Sequence, residues 1–241
     1  MKNFLLTKIR LSVYFWFFFV VYLIASKEVS GTTFTAGPLT LFSVNSFLYG
    51  FYISPILAAQ KTRIESLHQI IRSESNALFS IVLHSKKLSK ETRNELQALV
   101  VAYIRAKLRQ RGPNAGEKEY EAIITYCVEY KGKESDQIDK TLEELVANQQ
   151  NRTNFSMQKA NKVFANEWHI MAILFSITLG FILSISIPDK PIMHIVRALL
   201  CTGLTMLIVN LIKLNSLTHK KAKQMWQPFK KLVETDFYRI D

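Results

Sequence analysis

Leu41-Phe42-Ser43-Val44-Asn45-Ser46-Phe47-Leu48-Tyr49-Gly50-Phe51-Tyr52-Ile53-Ser54-Pro55 carries no charge, and it lies inside a longer charge-free run from Val29 to Gln60. A helix needs about 20 mostly apolar residues to cross a hydrocarbon core about 30 Å thick. This run therefore predicts a membrane span. Asp, Glu, Lys and Arg are also missing from Leu11 to Ser26, from Trp168 to Pro188 and from Ala198 to Ile212. The shorter runs reach spanning length by taking in flanking residues. The expected fold class is an all-α membrane protein with four transmembrane helices in two hairpins and a cytoplasmic helical block between them. The expected boundaries are 9–28, 38–59, 168–188 and 192–213 for the spans, 60–167 for the block and 214–241 for a cytoplasmic tail.

The charges set the expected orientation. The chain has 31 Lys and Arg against 19 Asp and Glu, a net charge of +12. Lys2, Lys8 and Arg10 precede the first charge-free run, and the middle block and the tail are rich in Lys and Arg. The hairpin loops hold only Lys27 with Glu28 and Asp189 with Lys190. Basic residues are retained on the cytoplasmic side. Both termini and the block are thus expected inside, both loops outside, and the protein in the plasma (inner) membrane. A cleaved signal peptide at the start fits less well, because the first segment is loaded with aromatics and Ala25-Ser26-Lys27 is a poor cleavage site. Nucleic acid is not an expected partner: Arg105, Lys107, Arg109 and Arg111 cluster at a helix end, where cations are favoured anyway.

The middle block reads as helix. Ile64, Leu67, Ile71, Leu78 and Val82 form one apolar stripe. Leu96, Leu99, Val100, Tyr103 and Ile104 form a second, and Tyr120, Ile123, Ile124, Cys127 and Val128 a third. Ser89 is placed to cap the second helix, and Gly112 to Gly116 is the clearest loop. The lack of Gly and Pro between Lys133 and Leu179 predicts one helix running into the third span. The narrow stripes suggest packing against neighbouring subunits as well as within the chain.

No motif for catalysis, phosphate binding or a metal appears, so no enzyme, cofactor or metal is expected. The five histidines are scattered, and Cys127 and Cys201 lack metal-ligand spacing. Asn151-Arg-Thr and Asn154-Phe-Ser match the glycosylation pattern, but the expected topology leaves them inert. Glu167-Trp168-His169 reads as an interfacial belt. Ser176, Gly180 and Ser184 form a small-residue stripe that lets helices approach closely.

The second span carries the candidate site. Ser43, Phe47, Phe51 and Pro55 recur every four residues, with Gly50 and Ser54 beside them. Repeated around an oligomer axis, such rings would make an apolar constriction that gates ions by dewetting. Ordinary helix packing is the other reading. Asn45 and the serines call for partners or water at membrane depth.

Ser46-Phe47-Leu48-Tyr49-Gly50-Phe51-Tyr52 resembles the neck of the bestrophins, whose animal members read Ser-Phe-x-x-Gly-Phe-Tyr. The order of spans, helical block and tail is similar too, as is the tail itself, Pro228-Phe229 followed by Asp236-Phe237-Tyr238-Arg239-Ile240. The stretch from Arg63, Arg72 and Glu74 to Tyr103 resembles a bacterial bestrophin-like family of unknown function. The resemblance implies a pentameric channel for small anions such as chloride, with the second span lining the pore. Phe47 and Phe51 would be neck rings, and Ser43 would stand where bestrophins have a third, apolar ring. The acidic calcium clasp of animal bestrophins is not reproduced, since Lys230 and Lys231 follow Pro228-Phe229. Arg197, inside the fourth span, would either snorkel to headgroups or line an outer vestibule that concentrates anions. The alternative function is a non-conducting, membrane-anchored scaffold or sensor whose cytoplasmic helices bind a partner.

Overall fold

The structure, a computed structural model, describes residues 9–234 except 30, 35, 111, 113, 188, 189, 220, 221 and 223. Lys2, Lys8, Arg111, Asp189 and Asp236 to Ile240 therefore lie outside the described residues. The described helices are α1 (Leu11–Glu28), α2 (Ala36–Ser85), α3 (Lys90–Gln110), α4 (Glu117–Glu129), α5 (Ser135–Ala160), α6 (Ala165–Ser184), α7 (Pro191–Asn215) and α8 (Gln227–Glu234). There is no strand among the described residues. Four stretches of them are long and apolar enough to cross a membrane: α1, α2, α7 and the one that α5 and α6 share. The chain divides into two compact units. One holds the described residues of Met1–Thr62 and Lys162–Lys220, the other those of Arg63–Asn161 and Lys221–Asp241.

In the first unit the sequential helices α6 and α7 pack together, and two further pairings link helices far apart in the chain. α1 lies against α7. Tyr22 and Thr205 share a hydrogen bond of 2.8 Å, Ser26 and His194 one of 2.9 Å, and the Lys213 ammonium sits 5.0 Å from the Tyr14 ring centre. Partners late in one helix meet partners early in the other, so the pair is antiparallel. α2 meets α6 in the same sense: Phe42 tilts onto Phe181, and Tyr49 onto Phe175. Tyr49, Ile53, Val163, Met171 and Leu211 make the core of this unit. Trp16, Phe17, Val20 and Ile24 of α1 face outward, as apolar side chains do when lipid is the solvent.

The ends of α1 and α6 are tied together. Thr32 N–H donates to Ser184 O at 2.8 Å, and Ser186 N–H to Thr32 O at 2.9 Å, a single parallel bridge between Thr32 and Ile185. Gly31 permits it. A Cβ there would lie 2.4 Å from Ser186 Cα, so backbone, not a flexible side chain, fills the space. Within the single chain no described helix approaches the Ser176–Gly180–Ser184 stripe at its glycine: a Cβ at Gly180 would meet nothing within 4 Å. Within the chain α6 packs through Met171 and Thr178 instead.

The second unit buries the predicted stripes. Ile64, Leu67, Ile71, Leu78 and Val82 of α2 are buried, with Leu96, Val100, Tyr103 and Ile104 of α3 and Tyr120, Ile123 and Cys127 of α4. Val128 departs from the third stripe and is exposed. Ser89 directly precedes α3, but its hydroxyl meets that of Thr92 at 2.9 Å and donates to the Glu134 carboxylate at 3.2 Å rather than accepting from a helix N–H. The core also holds charge. Lys107 and Glu74 pair at 3.0 Å with both side chains fully buried, and the Tyr103 hydroxyl donates to the same Glu74 oxygen. α8 is anchored by Phe229, against Trp226, which in turn meets the Phe155 ring edge-on at 5.7 Å.

The helix predicted to run unbroken through residues 133–179 is in fact two. α5 ends at Ala160, where the Arg63 guanidinium donates to Gln158 O and Lys159 O at 2.8 Å each. It thereby takes carbonyls that a continuing helix would have used. α6 begins at Ala165, with the Glu167 carboxylate accepting from Phe164 N–H at 2.9 Å, and Asn215 Oδ1 accepting from Val163 N–H at 3.1 Å. The break is a matter of caps rather than of Gly or Pro.

Candidate functional site

The first half of α2 has two unlike faces. Two of its hydroxyls are satisfied locally: Thr40 Oγ1 donates to Ala36 O at 2.9 Å and Ser43 Oγ to Leu39 O at 3.0 Å, whereas Ser46 Oγ is buried without a hydrogen-bond partner. Such local bonds let hydroxyls persist in an apolar helix. Asn45, Tyr49 and Ile53 form the packed face. Asn45 Nδ2 donates to Thr178 Oγ1 at 2.8 Å and to Leu174 O at 3.2 Å, while Tyr49 and Ile53 are buried. Two positions further along a helix is a turn of about 200°. Phe47 and Phe51 therefore fall on the opposite side, 69% and 71% exposed, their rings stacked at 6.0 Å and 19°. Ser43, Gly50 and Ser54 are exposed beside them. A Cβ at Gly50 would meet nothing within 4 Å. Pro55 has no N–H, so the carbonyl of Phe51, one turn earlier, lacks its helical donor. The face thus alternates broad apolar rings with small or polar positions, and it ends at a released carbonyl.

Ser43, Phe47, Gly50 and Phe51 are brought together on one surface. Arg197 is not part of it. It sits on α7, only 4% exposed, and its guanidinium donates to Ile185 O at the Thr32 bridge, while its Nε is buried without a hydrogen-bond partner. In the single chain it braces a loop rather than presenting an open charge. Thr178, which completes Asn45, carries no motif of its own. The signal for it was Asn45's need of a partner at membrane depth.

Outside this face the polar chemistry is dispersed. Among the described residues no group of three or more His, Cys, Asp or Glu is gathered as metal ligands would be. In the tail, Phe229 is buried while Lys230 and Lys231 are exposed. A family model described as a bestrophin-like domain matches residues 16–231. No curated protein and no solved structure matches the chain.

Proposed function

Because the chain belongs to the bestrophin-like family, we propose that this integral membrane protein is the subunit of a ring-shaped channel for small anions such as chloride, with α2 lining the pore. Five copies around one axis would set Phe47 and Phe51 as stacked rings, with Ser43 giving a wetter level on one side and Gly50 leaving room beside the rings. The termini and the block of residues 60–167 lie on the cytoplasmic side, and the membrane is the plasma membrane.

The observation that carries this reading is the exposure of Phe47 and Phe51 on a helix whose other face is already committed to α6. Packing within the subunit does not account for these rings. A symmetric neighbour would cover them in part and leave an apolar, poorly hydrated constriction. Arg197 enters as a brace for the loop end of the bundle.

Flux measurement tests the proposal. In liposomes, Phe47→Ala combined with Phe51→Ala removes bulk at two levels and is expected to raise chloride flux while the complex keeps its size. Dissolution of the oligomer in the double variant, or no flux from either protein, would instead favour the non-conducting scaffold.

A further inference from the structure

A cavity of about 480 Å³ lies in the second unit between two helix faces. From α2 come His68, Arg72 and Asn76, one turn apart from each other. Gln224, Gln227 and Lys231 come from α8 and the turn before it. Among the described residues no carboxylate lines the cavity. Glu74, on the same stretch of α2, is turned into the core and held by Lys107. The lining thus includes a guanidinium, an ammonium, an imidazole and three neutral amides. Its volume is in the range that takes a small molecule.

We propose that this cavity binds a phosphate-bearing small molecule, with Arg72 and Lys231 as the charged contacts. A guanidinium pairs with two phosphate oxygens at once, whereas an ammonium acts as a compact point charge. Together they match a phosphate dianion. The amides of Asn76, Gln224 and Gln227 supply hydrogen bonds without adding charge, which suits a ligand that is more than a bare halide. On the α8 side, Phe229, two residues before Lys231, is buried against Trp226. The site does not depend on whether the protein conducts, so the two ideas fail separately.

Calorimetric titration of the full chain in detergent tests it, with pyrophosphate as the soluble probe and short-chain phosphatidic acid as the headgroup probe. Losing one charged hydrogen bond weakens affinity by roughly tenfold or more. Arg72→Gln and Lys231→Gln are each expected to do so, while Lys140→Gln, which removes an exposed charge elsewhere, is expected to change affinity by less than about twofold. Binding of pyrophosphate assigns a free phosphate compound. Binding of the lipid alone, with the same dependence on Arg72, assigns a headgroup. Asn76→Leu fills the cavity without altering charge and serves as the second variant should Arg72→Gln lose helicity. Binding of neither probe, or equal loss in Arg72→Gln and Lys140→Gln, overturns the proposal.

Discussion

Asn45 finds Thr178 and a backbone carbonyl of α6, and Glu74 finds Lys107 in the dry centre of the other unit. The two cases differ in how readable they were. An asparagine inside a charge-free run announces that it needs a partner, because nothing in lipid can satisfy it. Glu74 and Lys107 stand among many charged residues, so nothing in the sequence marks them as buried. Phe47 and Phe51 were legible as one face, but which face the chain would leave open depends on where α6 packs. Burial lowers the pKa of Lys107, opposed by Glu74, and holds that of Tyr103 well above its usual value. Removing one member of a buried pair leaves an uncompensated charge and costs about 3–5 kcal/mol, whereas replacing both by apolar residues can be neutral. Lys107→Met is therefore expected to lower the melting temperature in detergent sharply. Adding Glu74→Leu should restore much of it. A double variant as unstable as the sum of the two single ones would remove the pairing argument.

At the scale of elements, helices were readable wherever an apolar stripe or a charge-free run was long. The α5–α6 break was not, because the sequence rule for ending a helix looks for Gly or Pro nearby, and here the terminating group is Arg63, far away along the chain. A guanidinium that takes two carbonyls is a cap supplied by another element. Arg63→Met should therefore loosen the last turn of α5. Losing hydrogen bonds to a charged group costs about 1.5–3 kcal/mol, so amide exchange across residues 155–161 is expected to quicken by roughly tenfold or more. Unchanged protection there would mean that α5 ends for some other reason. The charge-poor Ser176–Gly180–Ser184 stripe teaches the converse, since small residues license a close contact without forcing one.

For the whole molecule, the distribution of Lys and Arg predicts sidedness, and the Thr32 bridge puts the segments after α1 and α6 side by side without saying on which side they lie. Thiol labelling in intact cells checks the sidedness. Cys127 and Cys201 are buried, and burial pushes the Cys127 thiol up to about 11, so it stays protonated and unreactive at neutral pH. A cysteine at Thr33 is expected to react with an impermeant reagent. One at Asn114 should react only after permeabilisation. Asn114 is preferred to nearby Gly116, whose φ of 74° and close Tyr103 ring disfavour any side chain. The reverse labelling pattern would invert the orientation. The pairing of α1 with α7 was beyond the sequence, for hydropathy identifies spans and not their neighbours. It has a consequence for biosynthesis. Tyr22 and Thr205 are 183 positions apart, and ribosomes add about 5–20 residues per second. The first helix must therefore wait in the bilayer for roughly 10–40 s before its partner is made. During that interval Tyr22 and Ser26 lack their final contacts, so the nascent chain is at its most vulnerable to quality-control proteases before its last span arrives.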